Sequence, residues 1–479
     1  MLTQPTETAM AKRPFALLVA IFLVMELTPI FETTMIATGL PTLMNAFQID
    51  ITAASWLITI FTLVGAGTAA IAGRLGDIYG RKRIIIILMA LSTLGSLVSL
   101  ISGNFVGVLI GRGLQGTCAG IFPLLIGLAR EAAEPRRVSL LASLTSGVSV
   151  IGGSLGALFA GVLIDTAGWH SMFVASAILA VIAIGGAALL PRSIMTAREA
   201  ASGRLDILGA VLLAPAVTAL LFGFMTSRSV GLSPLVIGIL AIGLVLLVFW
   251  IFWELRVENP MFNLRLFRNS SLVFAFVATA FVAMGIMAGP SLLAPLLQQS
   301  PVSAPVGLGL TPTQAGLYGL ISGAVSFILS PFAGRVAGRL GAKVVLLIGI
   351  GLGAVGYVGF FAVHDLLISV VALVVSGVGT ALVVVAVPLV IVEIVPPQET
   401  SEAVALVYVT GRTVFNSIGV AIVAVLLASS TVPDSTLPTI DAWIAGLSFV
   451  ILTGVAGFVA ALAIRRTKPL DERVATTAV

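Results

Sequence analysis

Several ionisable side chains lie inside long apolar stretches of this chain, where a charge is costly. Glu26 and Glu32 share the first stretch, and Arg112 lies in a later one. Ionisable residues inside membrane segments are rare and usually mark an ion or substrate pathway. A carboxyl group in apolar surroundings favours its neutral form, so it can take up and release a proton near neutral pH. These residues therefore predict proton binding within a membrane.

Their positions along the predicted helices place the two carboxyl groups apart and place one of them at the same membrane depth as the arginine. Six residues turn a helix by about 240° and advance it by about 9 Å, so Glu26 and Glu32 do not form a paired carboxylate site. Counted from the predicted outer helix ends, Glu32 lies about 12 Å deep and Arg112 about 10 Å deep. We expect a Glu32–Arg112 pair or a water-bridged network. The structural alternative is a hydrogen bond between either carboxyl group and Thr28, Thr33 or a neighbouring backbone group.

Composition indicates a membrane protein. The chain has 479 residues, of which 59% are apolar and 9% charged, with a mean hydropathy of +1.17, whereas a soluble domain carries about 25% charged residues. One cysteine and two histidines give no basis for a disulfide framework or a metal cluster. The basic residues lie in short loops, which argues against nucleic-acid binding. Because no nucleotide-binding Gly-x-x-x-x-Gly-Lys-Ser/Thr loop occurs, we expect no enzyme activity, cofactor or metal.

Fourteen stretches reach the length of about 20 mostly apolar residues that a membrane span needs. Their predicted limits are 15–40, 53–73, 84–102, 105–128, 138–163, 171–190, 206–226, 232–253, 271–292, 313–334, 343–362, 366–391, 402–428 and 441–464. With both termini in the cytoplasm, all but three of the 25 Lys and Arg residues (Arg112, Arg228 and Arg412) lie on the cytoplasmic side, as the positive-inside rule requires. Glu393, at a cytoplasmic span end, is expected to be a solvated charge. We expect a multi-pass protein of a cell inner membrane.

A charged, glycine-rich loop follows the second span and recurs later in the chain. It reads Gly73-Arg74-Leu75-Gly76-Asp77-Ile78-Tyr79-Gly80-Arg81-Lys82-Arg83. At one constant shift, Gly334-Arg335 and Gly341-x-Lys343 repeat Gly73-Arg74 and Gly80-x-Lys82. Both loops join the second and third spans of a six-span block. The repeat predicts two pseudo-symmetric six-helix halves, 1–195 and 261–479, separated by a two-helix insert at 196–260.

Several of these segments resemble the major facilitator superfamily of secondary transporters. The loop from Gly73 to Arg83 resembles its loop between helices 2 and 3. Leu109-x-x-Arg112-x-x-Gln115-Gly116 resembles a motif of its fourth helix, and Glu32-x-Thr34-x-x-x-x-x-Leu40-Pro41 resembles a first-helix segment that usually carries aspartate. The 6+2+6 pattern resembles the fourteen-span drug:proton antiporters. The glycine-rich fifth span is similar to their antiporter motif, although Ser154 stands where a proline is expected. The resemblance implies an all-α integral membrane protein with the major facilitator fold.

The resemblance also implies roles for individual residues. Proton coupling would fall to Glu32 and Arg112, with Glu26 as a further candidate. Substrate binding would involve Glu26, Glu32 and Arg412. Asp77 would latch the outward-open state as part of a gating segment that contains Gly73, Asp77, Gly80, Arg81 and Arg83.

We therefore expect a proton-coupled exporter of small amphipathic compounds, cationic or neutral, of the multidrug-efflux type. Its partners would be a small-molecule substrate, protons and the lipid bilayer, with no nucleic acid, and it would act as a monomer. The alternative is a carrier of a metabolite such as an organic anion. In that case Arg112 and Arg412 would clamp the anion, and the carboxylates would bind symported protons.

Overall fold

The fold is helical throughout the described part of the chain. A computed structural model describes residues 15–132, 135–190, 207–230, 233–257, 264–395, 403–404, 406–407, 412–433 and 435–465. Within these ranges the one β-type contact is an isolated bridge between Thr431 and Pro438. The domain boundaries predicted near 195 and 260 fall outside the described residues.

Sixteen α-helices are described along the chain. Their bounds are α1 Phe15–Phe47, α2 Ile51–Tyr79, α3 Arg81–Ile101, α4 Phe105–Gly116, α5 Ile121–Ala132, α6 Pro135–Ala167, α7 His170–Leu189, α8 Ile207–Val230, α9 Pro234–Arg256, α10 Ser270–Val282, α11 Gly289–Gln299, α12 Pro312–Leu340, α13 Ala342–Val358, α14 Leu366–Ile394, α15 Arg412–Leu427 and α16 Ile440–Ala463. A 3₁₀ turn, Thr117–Gly120, joins α4 to α5, and a π-helical turn, Ala283–Met287, joins α10 to α11.

Helices occupy every predicted span, and for the span at 402–428 the described α-helix begins at Arg412. Among the described residues, ten helical stretches are long and apolar enough to cross a membrane. Three shorter apolar helices accompany them: Ile151–Ala167, Pro215–Phe224 and Arg412–Leu427. The all-α class is thus confirmed for the described residues. The count of fourteen crossings and the 6+2+6 grouping stay predictions.

The two related loops have the same local structure. Gly80 ends α2 with φ +91°, and Gly341 ends α12 with φ +89°, a backbone conformation that favours glycine because it has no Cβ. Lys82 Nζ donates to the carbonyl oxygens of Ala188 and Leu190 at the end of α7. Lys343 Nζ donates in the same way to those of Leu462 and Ile464 at the end of α16. Each lysine therefore satisfies carbonyl groups at a helix C-terminus.

The prediction that Glu393 is a solvated charge is wrong. It is 1% exposed rather than solvated, and its Oε1 accepts a hydrogen bond of 3.0 Å from the backbone N–H of Ala342. Because α13 begins directly after Gly341, its first N–H groups need acceptors, and a carboxylate from the end of α14 supplies one. A carboxylate is also favoured at a helix N-terminus by the helix dipole.

Helices from the two parts of the chain meet closely at the ends predicted to be outer. The carboxylate of Asp165, at the end of α6, accepts a 2.8 Å hydrogen bond from the backbone N–H of Thr313 in the first turn of α12. Gln299 Nε2 of α11 donates to the carbonyl oxygen of Thr38 in α1 at 2.7 Å. A Cβ added to Gly316 would lie 2.6 Å from the Cα of Leu158. These contacts join α1–α7 to α10–α16 at this end.

Candidate functional site

Glu32 is enclosed in the middle of α1 by hydrogen-bond donors from three other segments. It is 0% exposed. The hydroxyls of Ser92 in α3 and Ser176 in α7 donate to its Oε1 at 2.5 and 2.6 Å, and the thiol of Cys118 donates to its Oε2 at 2.8 Å. Both oxygen atoms of this buried carboxyl group therefore have hydrogen-bond donors, as a buried polar group requires.

Small side chains allow α3 and α4 to approach closely around this carboxylate. Ser92, Ser96 and Ser99 recur at helical spacing on one face of α3 and are all fully buried. Between them, a Cβ added to Gly95 would lie 2.5 Å from the carbonyl oxygen of Gly111 in α4. Small residues of this kind let helix backbones approach and let hydroxyls bond across helices.

Arg112 lies beside Glu32 but bonds its backbone rather than its carboxylate. The guanidinium Nη1 donates to the carbonyl oxygen of Glu32 at 2.9 Å and to Gln115 Oε1 at 2.8 Å, and Nε donates to the carbonyl oxygen of Leu57 at 3.1 Å. The ring of Phe61 lies over the guanidinium, with 4.2 Å from Cζ to the centroid. Arg112 is 1% exposed, so α1, α2 and α4 are joined through one side chain.

Gln115 and two serines connect the arginine to the carboxylate. Gln115 Nε2 donates to the hydroxyl oxygens of Ser96 at 2.8 Å and of Ser176 at 3.3 Å. The two hydroxyl oxygens lie 2.9 Å apart, and Ser176 also bonds Glu32. The predicted Glu32–Arg112 proximity is therefore present, and a continuous side-chain network takes the place of a direct pair.

Sequence reasoning missed the partners of Glu32 and considered the wrong threonines. Thr28 and Thr33 instead donate to carbonyl oxygens of their own helix, at Val24 and Pro29. Ser92, Ser176 and Cys118 carried no motif, although serines four residues apart in an apolar helix were an available signal for α3.

The other predicted site residues lie apart from this network. Glu26 is buried in the same helix, 5% exposed, but takes no part in the hydrogen bonds of Glu32, in keeping with the predicted rotation between them. Arg412 is half-buried at the described start of α15. One turn further along α15, the Ser417 hydroxyl lies 2.7 Å from that of Thr62 in α2.

The predicted gating segment spans the end of α2 and the start of α3. Gly73 and Asp77 lie in the last turns of α2, and Gly80 forms the turn between the helices. Arg81 is half-buried and Arg83 is exposed in the first turn of α3. The side chain of Asp77 lies outside what the structure describes, so its latch role stays a prediction. Among the described residues no three His, Cys, Asp or Glu side chains lie together as a metal site would need.

Comparison with known proteins places the chain among transporters. A sequence model of the Major Facilitator Superfamily matches residues 22–205 and 275–478. The chain is similar to the "Multidrug resistance protein B homolog" of Mycobacterium tuberculosis, with 26% identity over 412 residues that cover 83% of this chain and 73% of the relative. It is also similar to the "Putative multidrug resistance protein MdtD" of Escherichia coli, with 28% identity over 320 residues, 66% of this chain and 65% of that protein.

Solved structures share the fold at low identity. A POT family peptide transporter described as auto-inhibited matches with a TM-score of 0.67 and 19% identity, covering 94% of this chain and 98% of that one. A D-xylose–proton symporter matches with a TM-score of 0.66 and 16% identity, covering 95% and 98%. Likeness at this identity concerns the architecture alone.

Proposed function

We propose that this chain, which belongs to the Major Facilitator Superfamily, is a proton-coupled exporter of small amphipathic compounds. A multi-pass membrane transporter follows from the family and from the ten long apolar helices. Proton coupling, the cationic or neutral substrate class, and fourteen spans grouped 6+2+6 in an inner membrane with cytoplasmic termini are our proposal. The names of the multidrug-resistance relatives support export of drug-like compounds.

One observation carries the proposal: Glu32 is a fully buried carboxyl group that is held by neutral donors. Ser92, Ser176 and Cys118 bond its oxygens, while Arg112 is occupied by backbone carbonyls and Gln115. A carboxylate locked in a direct ion pair would resist protonation. Glu32 is instead held by groups that stabilise the ionised form and can turn away when a proton binds. This arrangement suits a group that must bind and release protons in each cycle.

Alternating access would link that proton to transport. The Asp165–Thr313 and Gln299–Thr38 contacts join the two groups of helices at the ends that we propose to be outer. Opening this side would require these contacts to break as the two groups of helices rock about the central site. We propose that a proton from outside binds Glu32 as a cationic substrate leaves, and that loss of the proton to the cytoplasm resets the carrier. Glu26 and Arg412 are proposed to contact substrate.

The organic-anion alternative loses one of its two proposed clamps. An anion held by Arg112 would have to displace the carbonyl groups of Leu57 and Glu32 and the amide of Gln115. That guanidinium is also nearly inaccessible, so an exchange of partners would cost several buried hydrogen bonds. The geometry therefore favours proton coupling over anion binding at Arg112.

Everted membrane vesicles with a respiration-driven pH gradient test the proposal. A fluorescent amine reports the gradient, and tetraphenylphosphonium or ethidium is added to vesicles with wild-type protein or with no transporter. We expect the cation to dissipate part of the gradient in wild-type vesicles only. If no cation in a chemically varied set has this effect at good expression, proton-coupled cation export is wrong for this chain.

A further inference from the structure

Ser176 occupies a branch point between the carboxylate and the arginine network. Its hydroxyl lies 2.6 Å from Glu32 Oε1 and 2.9 Å from Ser96 Oγ, and it is fully buried on α7. A hydroxyl carries one hydrogen and two acceptor lone pairs, so Ser176 can donate to only one of these two oxygens at a time. Its donor direction therefore has two alternatives within the existing geometry.

We infer that Ser176 switches its hydrogen bond when Glu32 is protonated and so relays the protonation state of Glu32 to Arg112; this rests on the proposed proton-binding role of Glu32. With Glu32 ionised, Ser176 donates to Oε1. When a proton binds Oε1, the new O–H donates to Ser176 Oγ, and the Ser176 hydrogen turns to Ser96 Oγ. One O–H bond forms on Glu32 and none breaks on Ser176, so the relay needs only a hydroxyl rotation.

Ser96 is arranged to receive this hydrogen. Its own hydroxyl donates to the carbonyl oxygen of Ser92 at 3.1 Å, which leaves its oxygen to accept from others. In the ionised state Gln115 Nε2 bonds this oxygen and, more weakly, Ser176. After the switch, the Ser176 hydroxyl competes with Gln115 Nε2 for the oxygen of Ser96. The protonated carboxyl group of Glu32 competes with it for the oxygen of Ser176. Because Gln115 Oε1 bonds Arg112, the change passes to the guanidinium that joins α1, α2 and α4.

Ser92 provides a matched comparison on the opposite side of the same oxygen. Its hydroxyl also donates to Glu32 Oε1, at 2.5 Å, and it is equally buried. Its hydroxyl makes no hydrogen bond to Gln115 or Ser96, so it stabilises the carboxylate without reaching the arginine network.

The ionisable groups around Glu32 are Arg112 and Cys118, with Glu26 on the same helix. From α3 and α7 the carboxyl group is contacted by serine hydroxyls. A switch through α7 therefore depends on Ser176.

Infrared difference spectroscopy after a pH jump tests the inference on purified protein without substrate. The carboxyl band of Glu32 is assigned by its loss in Glu32→Gln, and the side-chain amide band of Gln115 by its loss in Gln115→Leu. We expect both bands to change together in wild type, in Ser92→Ala and in Ser176→Thr, which keeps the hydroxyl. In Ser176→Ala the carboxyl band should persist while the accompanying Gln115 change disappears.

The outcomes separate the relay from the proposed function. If the Gln115 band still changes in Ser176→Ala, the relay is wrong, but the proton-binding role of Glu32 stands. The same holds if folded Ser176→Thr shows the Glu32 band without the accompanying Gln115 change. Absence of any Glu32 carboxyl band in wild type overturns both. In proteoliposomes with tetraphenylphosphonium as probe, Ser176→Ala should reduce gradient-driven flux about tenfold relative to downhill flux.

Discussion

Asp165 offers a direct test of the proposed closure at the predicted outer end, because one hydrogen bond joins its carboxylate to a helix of the other part of the chain. It accepts from the backbone N–H of Thr313 in the first turn of α12 at 2.8 Å. Asp165→Asn keeps an acceptor oxygen but removes the charge. A carboxylate at a helix N-terminus contributes about 0.3 to 1 kcal/mol at an exposed site. That loss corresponds to an increase of about two- to fivefold in the ratio of outer-open to outer-closed protein.

Spin labels at the outer ends of α3 and α14 would measure this ratio. Ile101 and Leu367 are 80% and 74% exposed, so cysteines there accept labels in a background where Cys118→Ser keeps a donor for Glu32. Pulsed electron resonance distances in nanodiscs should show more of the longer distance in Asp165→Asn. Asp50→Asn is the matched control, because Asp50 caps its own helix α2 by accepting from the Ala53 N–H at 2.8 Å. An equal shift of the distances in both variants, or no shift in Asp165→Asn, would show that the Asp165–Thr313 contact does not hold this end closed.

Three further predictions address packing, the repeated lysines and the gating segment. Gly316→Ala should lower the transport rate and the fraction of outer-closed protein, because the added Cβ would lie 2.6 Å from a main-chain atom of α6. Gly319→Ala on the same helix has open space around the added Cβ and should behave as wild type in the same flux assay. Lys343→Met and Lys82→Met each remove two hydrogen bonds to carbonyl groups at a helix C-terminus. Each substitution should therefore lower the free energy of unfolding by about 1 to 2 kcal/mol, measured as a lower unfolding temperature. Unchanged unfolding temperatures would exclude this capping role. Asp77→Asn should slow turnover and leave substrate affinity unchanged, as measured by flux and by equilibrium binding, and a defect in affinity alone would argue against a latch.

Local sequence features predicted the helices, because the causes of helix formation are local. Apolar length sets where helices lie, and glycine at the ends of α2 and α12 accommodates the positive φ found at Gly80 and Gly341. The equal depth of Glu32 and Arg112 followed from helical rise alone. Their proximity was therefore available from the sequence, although the atoms through which they contact were not.

Tertiary packing decided the features that the sequence did not predict. Ser92 and Ser176 lie far apart along the chain and meet at Glu32 only because α3 and α7 both pack beside α1. In an apolar helix a serine is equally suited to close packing, so its role as a donor depends on what faces it. The burial of Glu393 was unpredictable for the same reason, because the backbone N–H that it accepts from belongs to another helix, α13.

Proton release on substrate binding is the measurement that most directly tests Glu32 as the coupling group. Purified protein in a weakly buffered solution with a pH-indicator dye is mixed with tetraphenylphosphonium, and binding is followed in parallel. We predict that wild type and the control Asp50→Asn release a proton on binding, while Glu32→Gln binds the cation and releases none. Proton release by Glu32→Gln equal to that of wild type would contradict the account.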